Sequence, residues 1–476
     1  MKLAYDIKDK PKAGQLIIFA FQQLRAILAA TIAVPSIVGN GMSQSAALFG
    51  AGVGTLVYLL FTKCKSPVFL GSSFAFIGSM FAAFAGASSM NVGYLGLILG
   101  AIFAGLVYVV IALVVKAAGV AWINKLMPAV VIGPTVAIIG LSLAGNAVGD
   151  MLAYTDEGFV MTAKGAVGFI CALVTLFTVM ICSVFGKKMS KLIPFIIGIA
   201  AGYIVATCFT LIGKATGNAS LMIIDWSAFN DMQWVPSFTF LRAFKGFQYL
   251  TAPYIATVAV AYIPVAFVVF AEHIADHKNL SSIIEKDLLE DPGLHNTLLG
   301  DGVGSMVGAF FGGCPNTTYG ESVGCVAITG NASVVTILAT AVLAIIASFV
   351  APFVTLLSTI PSCVMGGVCV TLYGFIAVSG LKMIQKVDLD QNKNLFVVSV
   401  ILIAGVGGMS MSFGKVTLTE VACALILGII TNLILSRKKN DAPVEKIDAP
   451  VEEKVEEIAE ESFEAVEEAV EIASEE

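Results

Sequence analysis

The chain has 476 residues, of which 58% are hydrophobic and 13% are charged. This apolar content exceeds that of soluble globular proteins and excludes a soluble fold. The net charge of −6 is uneven, because residues 440–476 hold 15 acidic residues and two Lys, which leaves the rest of the chain basic. Those basic residues stand at the ends of apolar stretches, as in membrane proteins, so they do not indicate nucleic-acid binding.

About 20 apolar residues cross a bilayer, and this rule predicts an all-α polytopic membrane protein of about fourteen segments. With a cytoplasmic N-terminus, the inner loops hold most of the positive charge, so both termini are predicted to be cytoplasmic and the location is the cell membrane. The basic residues include Lys63, Lys65, Lys125, Lys187 and Lys188. The predicted spans are 14–34, 45–62, 67–85, 92–115, 126–147, 165–185, 192–213, 252–275, 296–313, 314–330, 332–353, 361–383, 395–413 and 418–436.

The most unusual stretch is Cys314–Gly330, which places Pro315, Gly320 and the carboxylate of Glu321 in strongly apolar surroundings. Lipid offers no hydrogen bonds to the backbone, so Pro and Gly beside an acid at membrane depth predict a broken helix that faces a polar cavity. A re-entrant loop or an ordinary outer loop is the alternative. We interpret this stretch as half of a binding site.

Two matched segments indicate an internal duplication. Pro128–Gly133 and Pro361–Gly366 share Pro, Val and Gly at the same spacing, 233 residues apart. This offset is about seven spans, an odd number, so the second copy must enter the membrane from the opposite side. Coincidence between Gly- and Pro-rich spans is the alternative. The offset also pairs Pro67–Gly78 roughly with Pro315–Gly330, and paired broken segments mark a transporter's binding site.

The eighth span ends with acids and histidines at helical spacing. Glu272 and Asp276 stand four residues apart on one face, and His273 and His277 stand four apart on the neighbouring face. The span limit at 275 places Glu272 near the cytoplasmic end, where a solvated acid is ordinary. The His spacing matches no zinc motif, so no metal site is predicted.

Four motifs in order carry a resemblance to a known family. They are Gly-Ser-Ser-Phe-Ala-Phe at 71–76, Ala-Glu-His-Ile at 271–274, Lys-Asp-Leu-Leu-Glu-Asp-Pro-Gly-Leu-His at 286–295 and Pro-Asn-Thr-Thr-Tyr-Gly-Glu at 315–321. Together they resemble the bacterial uracil permeases of the nucleobase–ascorbate transporter family, also called nucleobase:cation symporter-2. The resemblance implies proton-coupled uptake of uracil by alternating access, a homodimer, no enzymatic activity and no cofactor beyond the proton gradient.

The resemblance also implies two inverted repeats of seven segments, with a short strand before the half-helix in the broken segments 3 and 10. Segments 1–4 and 8–11 would form a core domain, and segments 5–7 and 12–14 a gate domain. The dense negative charge of the C-terminal tail predicts disorder rather than a membrane anchor. The predicted divisions are the N-terminus 1–13, core 14–125, gate with an outer loop 126–251, core 252–353, gate 354–437 and tail 438–476.

By the same resemblance, Glu272 is the substrate-binding acid of segment 8, which places it at mid-membrane despite the span limit. Tyr319, Gly320 and Glu321 match the segment-10 contacts, and Phe74 matches the aromatic contact of segment 3. Uracil presents two N–H donors and two carbonyl acceptors in one plane. Carboxylates accept from the N–H groups, backbone N–H groups such as that of Gly320 suit the carbonyls, and Phe74 packs on the ring.

Four residues are predicted candidates for proton coupling: Glu272, Asp276, His277 and Glu321. Asp276 stands where the uracil permease pattern has His, and purine-transporting relatives often have Asp at this position. Gln23 stands where relatives commonly have His in the first segment. Glu321 favours uracil, because those purine relatives usually have Gln there. A purine permease of the same family is the main alternative. An anion exchanger of the same fold, which would favour a cationic or neutral site, and a non-transporting receptor are further alternatives.

Overall fold

The computed structural model describes residues 3–119, 128–152, 162–186, 190, 193–413 and 416–436. The chain divides into a large compact unit, Met1–Leu433, and a C-terminal unit, Ile434–Glu476. The predicted tail, 438–476, lies outside the described residues, as do the predicted inner-loop residues Lys125, Lys187 and Lys188.

The described residues are mostly helical. The first half contains α1 (Ala13–Val38), α2 (Gln44–Phe61), α3 (Ile77–Ala85), α4 (Met90–Ala118), α5 (Ala129–Ser142), α6 (Ala144–Leu152), α7 (Ala163–Phe185) and α8 (Pro194–Thr216). The second half contains α9 (Thr239–Ala243), α10 (Ala252–Ile284), α11 (Leu294–Gly312), α12 (Gly320–Thr329), α13 (Val334–Ser348), α14 (Ala351–Ser358), α15 (Ser362–Ile384), α16 (Asn392–Val406) and α17 (Glu420–Ser436).

Each of the fourteen predicted spans overlaps at least one of these helices, which confirms the all-α membrane fold. Eight helical stretches among the described residues are long and apolar enough to cross a bilayer unaided. A ninth forms if α13 and α14, which bend by 80° where they meet, are counted as one span. The remaining predicted spans are shorter or broken, and the inverted repeat stays a prediction.

Two short strands lie in the broken segments, as the resemblance implied. β1 (Leu70–Ser72) pairs antiparallel with β2 (Asn316–Thr318), and every residue of both strands is buried. A 3₁₀ turn, Phe74–Phe76, joins β1 to α3, and α12 follows β2. A second hairpin, β3 (Met411–Phe413) and β4 (Val416–Leu418), stands between α16 and α17.

The buried strand pair satisfies its backbone within the protein, as a membrane interior requires. The Thr55 hydroxyl accepts from Leu70 N at 2.9 Å and lies 3.2 Å from Leu70 O. Ser73 N donates to Pro315 O at 2.9 Å, and the Tyr319 hydroxyl donates to Ser72 O at 2.8 Å. A broken helix is therefore stable here because neighbouring segments replace its missing hydrogen bonds.

Glycine allows α11 to approach its neighbours closely. It packs against α2 and α4, whereas α15 packs against α5, α6 and α7. A Cβ at Gly54 would lie 2.7 Å from Gly304 O, and one at Gly105 would lie 2.7 Å from Gly302 O. Small residues at these crossings let membrane helices meet backbone to backbone, so α11 and its polar residues lie deep in the protein.

An N-terminal strap, Leu3–Asp9, joins the ends of three helices. Its backbone forms hydrogen bonds of 2.8–3.2 Å with the turn Gly330–Val334 between α12 and α13. The Ile7 side chain is buried, and Asp6 forms an ion pair with Lys286, just beyond α10. The strap therefore ties α10 to the α12–α13 turn.

The predicted outer loop before α10 packs in part on α4 and α11. Arg242 of α9 donates to the Tyr94 hydroxyl at 2.8 Å, and the Phe240 ring stacks on Phe310 with centroids 4.8 Å apart. The sequence assigned this loop to the gate domain together with segments 5–7. The boundaries of the core and gate domains stay a prediction.

Candidate functional site

Helix α10 carries acids on one face and histidines on the next. It continues to Ile284, nine residues beyond the predicted limit of 275, so that limit was wrong. Glu272 therefore lies twelve residues before the end of the helix rather than at its edge. Glu272 is exposed to an internal cavity and Asp276 is half-buried, whereas His273 and His277 are fully buried.

The cavity has a volume of about 280 Å³ and brings together all five predicted substrate-binding residues. These are Phe74 after β1, Glu272 of α10, and Tyr319, Gly320 and Glu321 at the start of α12. Ligand pockets in proteins have volumes of about 300–1,000 Å³, so this one suits a small molecule. The substrate-binding role of these residues stays a prediction.

The N-terminus of α12 lines this cavity with polar backbone. Tyr319 precedes the helix, and Gly320 and Glu321 form its first turn. The first N–H groups of a helix have no acceptor within it and carry its positive dipole end. The Tyr319 ring is held in place by its hydrogen bond to Ser72 O and by Gly71, where any side chain would clash with it. The site therefore offers donors beside an acid.

The opposite wall of the cavity comes from helices of the predicted gate domain. Val136 and Ile139 of α5 face it, together with Phe375, Ser379 and Met383 of α15. These side chains are mostly apolar and bulky. The cavity thus has one polar wall and one largely apolar wall, an arrangement suited to a flat ring with a polar edge.

The three carboxyl groups at the cavity are close enough to repel one another electrostatically. Glu272 lies within the field of Asp276 and Glu321, and Asp276 within that of Glu321. In the described part of the chain, none of the three forms an ion pair with Lys, Arg or His. Such a site favours a neutral ligand that donates hydrogen bonds, or the uptake of a proton.

Hydrogen bonds connect α10 and α1 to the second broken segment. The Thr318 hydroxyl of β2 donates to Asp276 Oδ2 at 2.8 Å. The Gln23 amide of α1 donates to the Ser322 hydroxyl, which also accepts from Phe69 N at 3.1 Å. Gln23, which the sequence marked as a departure from relatives, therefore packs behind the cavity rather than lining it.

One predicted proton-coupling candidate lies away from the cavity. His277 Nε2 stands 2.7 Å from the Tyr58 hydroxyl, and its Nδ1 is 2.8 Å from His273 O. The other three candidates, Glu272, Asp276 and Glu321, line the cavity. All four roles stay predictions.

Residues that the sequence did not single out also line the site. Thr318 and Ser73 belong to the quoted motifs, so their positions beside Glu321 and Phe74 were a usable signal. Phe375 and Ser379 stand in an uninterrupted apolar helix, where nothing in the residue types marks them. Within the described ranges, no group of three His, Cys, Asp or Glu side chains could hold a metal ion.

Two broken segments that meet at an internal cavity, with a half-helix N-terminus and acids inside it, are typical of the binding sites of membrane transporters. The Permease family model, Xan_ur_permease, matches residues 14–413. The chain is 40% identical to the uracil permease of Bacillus caldolyticus over 437 residues, 91% of this chain and 95% of the relative. It is 38% identical to the uracil permease of Bacillus subtilis (strain 168) over 445 residues, 92% and 97% of the two chains.

A solved structure shows the same fold. The transmembrane domain of a cyanobacterium bicarbonate transporter, BicA, aligns with a TM-score of 0.61 at 16% identity, over 90% of this chain and 99% of that chain. With the match over most of its length, the chain belongs to the Permease family, and it is a multi-pass membrane transporter.

Proposed function

We propose that this permease takes up uracil across the cell membrane, coupled to protons, by alternating access. The observation that carries the proposal is the cavity in which Glu272, Glu321 and the N-terminus of α12 meet. The relatives at 38–40% identity are named uracil permeases, which supports uracil over a purine. The concentration of Lys and Arg in alternate loops between the predicted spans supports cytoplasmic termini. A homodimer is also part of the proposal.

The chemistry of the cavity matches the uracil ring. Glu272 and Glu321 accept from ring N–H groups, while the backbone N–H of Gly320 donates to a ring carbonyl. Phe74 covers one face of the ring, and the apolar α15 wall excludes water. An anion would meet three acids that have no paired cation among the residues the structure describes, so an anion such as the bicarbonate named for BicA does not suit this site.

Two cavities at different positions along α15 support alternating access. The second one, of about 720 Å³, is lined by Ile37 and Phe81 on one side and by Asp150 and Cys363 on the other. The substrate cavity lies further along α15, from Leu372 to Met383. At the end of the substrate cavity nearer to Cys363, the Tyr373 ring contacts the Phe74 ring edge-to-face, with centroids 6.4 Å apart. Opening this contact would connect the substrate cavity to the second cavity.

Proton coupling is supported by the uncompensated acids. Moving a cavity that holds several carboxylates through the membrane is costly unless some are protonated. A proton that binds with the neutral substrate would lower that cost and link the two movements.

The test is uptake of labelled uracil into proteoliposomes at several external pH values. We expect uptake to rise as the external pH falls below the internal pH, and unlabelled uracil to compete better than xanthine or hypoxanthine. Competition by purines alone would replace uracil with a purine substrate. Uptake that does not depend on the pH gradient would contradict proton coupling.

A further inference from the structure

The His273–Asp301 pair forms a dry ionisable dyad behind the substrate cavity. His273 Nδ1 of α10 lies 2.7 Å from Asp301 Oδ2 of α11, and both side chains are fully buried. His273 Nε2 lies 3.0 Å from the Thr297 hydroxyl, which in turn lies 3.0 Å from Leu294 O. Neither member of the dyad lines the cavity.

This geometry can hold one proton more or less without breaking a hydrogen bond. With the Thr297 hydroxyl donating to His273 Nε2, the Nδ1–H donates to the Asp301 carboxylate at Oδ2, and the dyad has a charge of −1. A proton added at Asp301 Oδ1 leaves both of these hydrogen bonds in place and makes the dyad neutral.

Unpartnered polar atoms connect the dyad to the cavity wall. The Thr317 hydroxyl stands beside both the Asp301 carboxyl and the Tyr108 hydroxyl. Asp301 Oδ1, Thr317 Oγ1 and the Tyr108 hydroxyl are all buried, and none makes a well-formed hydrogen bond within the described chain. Buried polar atoms are nearly always paired, with protein or with a bound water. Thr317 itself lines the substrate cavity.

We propose that the His273–Asp301 dyad is the site that carries the coupled proton, and that a water molecule held by Asp301, Thr317 and Tyr108 delivers it from the cavity. The proton passes from cavity water through the bridging water to Asp301 Oδ1. The carboxylate becomes a neutral acid, the net charge of the dyad changes from −1 to zero, and release follows the same atoms in reverse. The inference rests on the proposed uptake of uracil with protons.

The charged groups around the dyad explain how its proton would affect substrate binding. Glu272 and Asp276, on the cavity face of α10, both feel the charge of Asp301. In the described ranges, the Tyr58, Tyr108 and His277 side chains also lie near the dyad. Protonation of the dyad therefore removes a negative charge next to Glu272 and leaves Glu272 free to accept from the substrate.

His277 is less suited to this role. Its Nδ1 lies 2.8 Å from His273 O and its Nε2 lies 2.7 Å from the Tyr58 hydroxyl, so both nitrogens already have a partner. It also has no acidic partner among the described residues. A second proton on His277 would therefore be an unpaired buried charge.

The experiment compares two assays in proteoliposomes. Uracil exchange, with uracil on both sides and equal pH, requires binding and movement but no net proton transfer. Gradient-driven accumulation, with a pH-sensitive dye inside, requires the proton to enter with uracil. Asp301→Asn preserves the shape of the side chain, so we expect uracil exchange to remain. Gradient-driven uptake should stop when the uracil concentrations inside and outside are equal, and the proton signal of the dye should be lost.

Accumulation and proton entry like those of the wild type in Asp301→Asn would overturn the proposal. If the wild type itself accumulates no uracil under a pH gradient, the proposed function fails, and the two failures are thereby distinguishable. Accumulation by the wild type that follows a sodium gradient instead of a proton gradient would also overturn the inference.

A second variant tests the proposed proton path if Asp301→Asn fails to fold or to exchange uracil. Tyr108→Phe removes one hydroxyl from the bridging-water position and leaves the dyad intact. We expect normal exchange with slower proton entry and lower accumulation. The matched control is Tyr262→Phe, which removes another buried Tyr hydroxyl that has no hydrogen-bond partner among the described residues. Equal behaviour of the two variants would overturn the proposal.

Discussion

The two faces of α10 place neighbouring residues in opposite environments. Glu272 and Asp276 face a cavity open to water and substrate, whereas His273 and His277 are sealed against α11 and α2. On the cavity face no Lys, Arg or His of the described ranges pairs with the acids, so protons and ligands are expected to balance their charge. On the dry face each imidazole has protein partners at 2.7–3.0 Å.

The comparison shows that the face of α10 on which an ionisable residue lies, rather than its position along the helix axis, determines its environment. A change on the dry face that leaves a buried partner unpaired should lower folding stability, whereas Asp301→Asn, which keeps the shape of the side chain, should mainly affect proton entry. Changes on the cavity face should mainly affect transport. The following variants test the contrast between the two faces.

The largest effect is expected from unpairing the dyad. His273→Leu leaves the Asp301 carboxyl buried without its partner, which should cost about 3–5 kcal/mol of unfolding free energy. Because apolar replacement of both members removes the unpaired group, His273→Leu with Asp301→Leu should be more stable than His273→Leu alone. Chemical unfolding in detergent measures the stability of both variants. If His273→Leu is as stable as the wild type, His273 and Asp301 do not form a buried pair.

On the cavity face, Glu272→Gln should leave stability unchanged and impair transport. Loss of a hydrogen bond to a charged group costs about 1.5–3 kcal/mol, which corresponds to roughly a 10- to 150-fold fall in kcat/KM for uracil uptake. Asp231→Asn, an exposed acid outside the cavity, is the control and should transport normally. Normal uptake by Glu272→Gln would remove this acid from the site.

A smaller effect is expected from the contact between the two segments. Thr318→Val removes the hydroxyl that donates to Asp276 at 2.8 Å. A net loss of about 0.5–1.5 kcal/mol corresponds to roughly a 2- to 13-fold loss in kcat/KM. Thr340→Val, which loses a hydroxyl bonded mainly to its own helix backbone, serves as the matched control. If both variants behave alike, the hydrogen bond to Asp276 does not contribute to transport.

The smallest effect concerns the N-terminal strap, outside the membrane segments. A hydrogen bond from Lys286, followed by one from Ile7 N–H, holds the pKa of Asp6 below its usual value. Asp6→Asn should therefore cost about 0.2–1 kcal/mol of stability near neutral pH, as exposed ion pairs do. The lowered pKa means that this stabilisation is present above the ordinary Asp pKa of about 3.9 and is lost as the pH falls below it.

Unfolding of the wild type and Asp6→Asn across pH measures that difference. The two curves should converge only in acid. A difference that persists unchanged below the ordinary Asp pKa would show that Asp6 acts through something other than its charge.

The broken segments were predictable because their cause is local. Pro315, Gly320 and Glu321 interrupt an apolar run, and backbone chemistry in lipid allows few ways to accommodate them. The position of Glu272 within its helix came from the resemblance, since composition alone ended the span at 275. Lys278, Asn279 and Ser281 lower the hydropathy there, although the helix continues to Ile284.

The dry face was not predictable, because its contacts depend on packing between distant residues. His273 and Asp301 are 28 positions apart and meet only where α10 and α11 pack together. The apolar wall of the cavity depends similarly on how α15 packs. Its Phe375 and Ser379 carry no mark in the sequence that separates them from lipid-facing positions.

Uracil binding to purified protein, measured by calorimetry, tests the central claim most directly. We expect the wild type to bind uracil, Glu272→Gln and Glu321→Gln to bind it much more weakly, and all three to unfold at similar temperatures. Unchanged affinity in both variants would contradict the account, because the two acids at the cavity would then not hold the substrate.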